Sequence, residues 1–185
     1  MRPQKVEDLD MLNGLMSVFR SKGYDGASLI ELATATGLKK ASLYHRFPGG
    51  KKDMSAAVLA HLHSWNNKNV YDVLTDDTEN FDERIDTVIS NMREIYKDGT
   101  EVCVFRSLSL DSGIALFGDQ IQEGIQLFIK GFEVFGLEKG MSVKEARDNA
   151  NQTFIDIQGS LVLSKSLNIT EPFLTVLEKI KNRYT

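Results

Sequence analysis

Five cations, Lys39, Lys40, Arg46, Lys51 and Lys52, crowd the stretch LKKASLYHRFPGGKKD at residues 38–53, where Asp53 is the single acid. Tyr44 and His45 stand among them, and both can donate a hydrogen bond to an anion or a base edge. The surrounding chain is acidic, with a formal net charge of −4. Residues 1–68 hold ten Lys and Arg against six Asp and Glu, a net of +4, so the remainder carries −8. A basic end on an acidic body fits a partner that is a polyanion and meets only that end.

Other reactive residue types are sparse. His61 and His63 lie two apart, which on a helix points them in different directions, a poor start for a metal site. No glycine loop follows a strand pattern, and no local Ser/His/Asp grouping stands out. No catalytic residue, metal or cofactor is therefore expected. One cysteine, Cys103, excludes an internal disulfide and suits a reducing cytosol. Cys103 is also a candidate thiol sensor, although Arg106 is the nearest cation in sequence and a buried thiol is usually inert. The start MRPQKVEDLDML meets acids before any apolar run, unlike a signal peptide, and no stretch approaches the ~18 apolar residues of a membrane span. The expectation is a cytoplasmic protein with no membrane partner.

The elements that must position the basic stretch are all helical. Val6, Leu9, Leu12, Leu15, Met16 and Phe19 make one amphipathic stripe, ended near Lys22-Gly23. Ser28 with Glu31 forms a capping box for a short helix that Gly37 closes. A second short helix, about Lys39 to Phe47, turns Leu38, Leu43 and Phe47 inward and leaves Lys39, Lys40, Ser42, His45 and Arg46 outside. Pro48-Gly49-Gly50 breaks it, and a longer helix follows from Lys51 to about Val73. Two short helices joined by a glycine turn and packed on longer ones outline a helix-turn-helix. Further helices are expected at 81–97, 103–110, 114–135, 143–167 and 171–182, with no alternating strand pattern. The fold class is all-α: a DNA-binding domain at residues 1–50 and a helical body at 51–185.

In this frame the second short helix is the reading helix. DNA presents a negative charge about every 1.7 Å along its axis, and cations that dock on it release counterions. Lys39 and Lys40 stand at the helix start, Ala41 is small enough to let the helix into the major groove, and Ser28 offers a hydroxyl to a phosphate. Lys51 and Lys52 would clamp the flanking backbone.

The run SLIELATATGLKKASLYHRFPGGKKDM, with the preceding MLNGLMSVFRSKGYDGASL, resembles the N-terminal helix-turn-helix of the TetR family of transcriptional regulators, most nearly its LmrA/YxaF-type branch. EVCVFRSLSLDSG is similar to that branch's second domain. The resemblance implies a homodimer that binds a palindromic operator and is released from it by a small-molecule effector. It assigns DNA contacts to Ser28, Lys39, Lys40, Ala41, Ser42, Tyr44, His45 and Lys51. Lys39 stands where the family often has Ser or Thr, and Arg46 where it often has a second His.

For the effector, the large side chains Trp65, Met92, Tyr96, Phe105, Phe117, Phe128, Phe132 and Phe154 either line a cavity for an apolar or aromatic molecule or simply pack a core. For the dimer, Phe154, Ile157, Leu161, Phe173, Leu177 and Ile180 form apolar rows on the last two helices, and periodicity leaves open whether they face a second subunit or each other. The rival reading is a helical small-molecule-binding or interaction protein that does not read DNA.

Overall fold

The computed structural model describes residues 8–185, and every regular element among them is helical. In chain order these are α1 (Asp8–Gly26), α2 (Leu29–Thr36), α3 (Lys40–Arg46), α4 (Lys51–Asn66), a π-helical turn (Asn67–Tyr71), α5 (Asp72–Thr75), α6 (Phe81–Tyr96), a 3-10 turn (Lys97–Gly99), α7 (Val104–Leu108), α8 (Ser112–Glu138), α9 (Val143–Leu167) and α10 (Glu171–Tyr184). They gather into two compact units. The first comprises the described residues up to Leu62 together with Val104–Gln122, the second His63–Cys103 together with Glu123–Thr185.

In the first unit, α1 buries Met11, Leu15, Val18 and Phe19. The stripe is thus displaced from the expected one: Leu9 is 58% exposed and Leu12 half-buried, while Val6 lies outside the described residues. The i, i+4, i+7, i+8 row through Met11 is the face that α2 meets. Gly14 permits that meeting, because a Cβ there would lie 2.5 Å from the Ala35 carbonyl oxygen. The backbone leaves α1 at Gly23, with φ 66° and ψ −172°, a conformation that side-chain-bearing residues resist. Behind this turn, Ser107 of α7 donates its hydroxyl to the Arg20 carbonyl at 2.9 Å.

In the second unit, α6 starts from an Asn80 cap and α9 from a full Ser142/Glu145 capping box, as its Ser-x-x-Glu spacing predicts. Pro172 falls in the first turn of α10. The core is aromatic: Phe132 meets Phe128 and Tyr184 at centroid distances of 5.1 and 5.4 Å, and Phe135 meets Tyr184 at 5.8 Å. Tyr184 is 1% exposed, and burial pushes its phenol up to about 12. Gly131 lets α8 approach the π-helical turn, since a Cβ there would sit 3.3 Å from the Tyr71 Cα.

Candidate nucleic-acid interface

The two short helices are built by local bonds. The Ser28 hydroxyl accepts from the Glu31 N–H at 3.2 Å, and the Glu31 carboxylate accepts in return from the Ser28 N–H at 3.0 Å and hydroxyl at 2.7 Å. These bonds, the hydroxyl first, hold the Glu31 carboxyl below its usual range. Gly37 closes α2 in the left-handed conformation at φ 65°. Leu43 is fully buried and anchors α3, whereas Lys39, Lys40, Ala41, Ser42, Tyr44 and His45 are exposed. The helix carries no acid, so its outer face is basic and polar apart from Ala41.

The turn after α3 is equally local. Gly49 donates its N–H to the Asp53 carboxylate at 2.6 Å, and a Cβ at Gly49 would collide with that carboxylate. Gly50 takes φ 66° and packs beneath the Tyr44 ring, with its Cβ position 3.3 Å from Cε1. Tyr44 is 46% exposed and so presents the rest of its ring outward.

Three residues differ from the linear expectation. The Ser28 hydroxyl is already given to Glu31, so a phosphate reaches it only by displacing an anion. Lys39 occupies the N-cap position of α3 without any side-chain cap bond, which leaves its ammonium unspent on the helix. Arg46 is not a free cation: its guanidinium meets the Asp8 carboxylate at 2.5 Å and the Met11 sulfur at 3.4 Å, tying α3 to the start of α1. Nothing at the level of spacing signals that pair, because its partners are 38 and 35 residues apart.

The eight large side chains singled out for an effector are divided between the two units. Phe105 and Phe117 belong to the first unit, where Phe117 packs edge-on against Tyr24 at 5.3 Å. The other six belong to the second, where Phe128 contacts Phe132 and Phe154 and Tyr96 lies edge-on to Phe173 at 5.7 Å. A groove of about 920 Å³ in that unit is lined by His63, Tyr71, Glu123, Gln126, Leu127, Ile129, Lys130, Glu133, Arg147 and Asn151. Cys103 is 3% exposed.

The rows on α9 and α10 turn toward each other. Ile157, Leu161, Phe173, Leu177 and Ile180 are all buried inside the subunit and Phe154 is half-buried, so five of these six have no surface to offer a second copy. From the middle of α9 to the start of α10 the apolar residues left outside are Ile155, Val162, Leu163, Leu167 and Ile169, between 46% and 60% exposed. A groove of about 500 Å³ is lined by three of them, Ile155, Leu163 and Ile169, together with Gly159, Pro172 and Val176. Among the described residues no group of three His, Cys, Asp or Glu is placed to hold a metal ion, and no helix is long and apolar enough to cross a membrane.

A capped pair of short helices, the second exposing an acid-free basic face, within an all-helical chain defines a helix-turn-helix DNA-binding protein. Residues 12–58 match the family described as bacterial regulatory proteins, tetR family. Over that segment the chain is similar to TetR-family transcriptional regulators. It is 26% identical over 180 residues to the Uncharacterized HTH-type transcriptional regulator YxaF of Bacillus subtilis (strain 168), covering 92% of this chain and 91% of that one. Its fold is similar to that of a TetR transcriptional regulator from Legionella pneumophila, with a TM-score of 0.82, 19% identity and full coverage of both chains. It is also similar to a cysteine mutant of the TetR family transcriptional regulator CifR complexed with 26-bp double-strand operator DNA, with a TM-score of 0.71, 22% identity and full coverage of both chains.

Proposed function

We propose that this regulator works as a homodimer that grips a palindromic operator through α3 and represses until a small-molecule effector loosens that grip. The observation that carries the DNA-reading half is the outer face of α3: Lys39, Lys40, Ala41, Ser42, Tyr44 and His45 all exposed, on a helix anchored by Leu43 and free of acids. Lys39 and Lys40 supply phosphate contacts, Ala41 and Ser42 allow close approach to the groove, and Tyr44 and His45 reach phosphates or base edges. The operator complex of CifR, a protein of the same fold, supports this docking.

The test is fluorescence anisotropy of a duplex from the DNA upstream of the protein's own gene, titrated at two salt concentrations. Wild type is expected to bind it more tightly than random duplex, and the double variant Lys39→Ala/Tyr44→Ala to lose that preference. Losing the phosphate contact of Lys39 lowers the slope of log affinity against log salt by about 0.9. Equal weak binding to every duplex, unaffected by the substitutions, would sink the reading.

The dimer rests on the apolar strip of α9. Soluble monomers rarely leave contiguous apolar surface of more than a few hundred Å² open to water. A second copy laid on Ile155, Leu163 and the Pro172–Val176 edge would cover it, with Gly159 allowing close helix approach. Leu163→Asp places a charge in the middle of that contact and is expected to halve the mass seen by sedimentation without changing the helical circular dichroism.

The effector reading rests on the open groove of the second unit, where cations, carboxylates, amides and the Tyr71 ring surround one space. Such a lining suits a molecule with polar groups as well as an apolar body. Its binding would weaken the operator complex by the difference in its affinity for the two states.

A further inference from the structure

Lys51 opens α4 on the basic side of the interface, and the resemblance to TetR proteins hands it a phosphate. Its surroundings give it other work. The ammonium donates to the Ala27 carbonyl at 3.1 Å and lies 3.4 Å from the Asp25 carbonyl, in the turn formed by the last residues of α1 and Ala27. It also stands 4.6 Å from the centroid of the Tyr24 ring, so its three N–H groups face two carbonyls and an aromatic surface. Binding a phosphate would require exchanging these contacts for one.

The same turn is held from its other side. The Asp25 carboxylate accepts the Ser112 N–H at 3.0 Å and the Ser112 hydroxyl at 2.5 Å, at the first residue of α8. The Tyr24 ring rests edge-on against Phe117 one helical turn further along α8. Gly113 fits beneath because it has no Cβ, which would fall 2.2 Å from the Leu108 carbonyl oxygen. Ala27, whose carbonyl is the nearer of the two acceptors of the Lys51 ammonium, directly precedes the Ser28 cap of α2.

We infer that Lys51 is a positioning residue: it ties the Tyr24–Ala27 turn to the start of α4, thereby fixes where the Ser28 end of α2 stands beside α3, and does not itself bind a phosphate. The binding arm of its test rests on the DNA-reading proposal above, while the structural arm does not.

Three variants separate the possibilities: K51M keeps the aliphatic stem without the ammonium, K51R keeps a cation, and K39A removes an unengaged one. Hydrogen exchange is followed in the DNA-free protein at the segment 24–32, and duplex affinity is measured from 50 to 200 mM salt. K51M is expected to speed exchange in that segment about tenfold and to weaken duplex binding about tenfold at every salt, with the salt slope unchanged. K51R restores both, whereas K39A leaves exchange alone and lowers the slope by about 0.9. A K51M slope that falls as K39A's does, or exchange equal to wild type, overturns the inference. If wild type binds no duplex at all, exchange alone decides the tie, and the failure belongs to the DNA-reading proposal.

Discussion

Arg84→Ala is expected to destabilise the second unit by about 3 kcal/mol, measured by urea unfolding at pH 7. Arg84 is 2% exposed, yet it carries a full charge. Its guanidinium donates to the Glu138 carboxylate at 2.6 and 3.0 Å and to the Leu74 carbonyl, and lies about 5 Å from the Phe81 and Phe135 rings. Alanine would leave the Leu74 carbonyl without this donor and open a void between two aromatic rings. The figure stays at the low end for a broken buried pair because the Glu138 side chain is 37% exposed and water can take over its charge.

The same pair sets a pH dependence. Hydrogen bonding from Arg84 holds the Glu138 carboxyl below its usual value of 4.5, so the folded protein takes up that proton less readily than the unfolded chain. The stability this contributes is complete above the ordinary glutamate range and is lost as pH falls through the lower, folded value. The gap between wild type and Arg84→Ala is therefore expected to narrow below about pH 4. A gap that stays constant from pH 7 to pH 3 would show that the charge of Glu138 plays no part.

Phe132→Ala is expected to cost about 3 to 5 kcal/mol. Phe132 has no exposed surface and sits between Phe128 and Tyr184. Removing it deletes two ring contacts and leaves space in a core where neighbours are fixed by their own helices. The Tyr184 hydroxyl, 3.3 Å from the Thr153 Oγ1, would then gain water, so its titration should move down from about 12. Unfolding midpoints and the phenolate absorbance near 295 nm read the two effects separately. A stable variant with an unchanged tyrosine titration would mean that the core had closed around the gap.

Much of the helix-turn-helix was legible in the residues alone, and the reason is local. Ser28 with Glu31, and Ser142 with Glu145, bond across three positions, so the spacing itself contains the geometry. Gly37 and Gly50 take positive φ where a chain must turn sharply, and α3 is bounded by them in sequence as in space. Its exposed face followed from one buried anchor, Leu43, and a period of 3.6 residues. The linear pattern also found the apolar rows of α9 and α10.

Which partner each row meets was a tertiary decision. Ile157 and Leu161 of α9 and Leu177 and Ile180 of α10 are buried within one subunit, while Ile155 and Leu163, each two positions away from a buried residue of α9, are left outside. Periodicity gives a face but not its neighbour. Gly14 is an ordinary helical glycine until α2 lies against it, and Arg84 reads as a surface charge until two phenylalanines enclose it. Lys51 belongs to the basic run in sequence, while its bonds go to carbonyls 24 and 26 residues earlier. Sequence by itself determined the helices, their caps and the concentration of positive charge near α3. Only packing between distant segments decided which of those charges stay free, because a long side chain bonds to whatever the fold brings within reach.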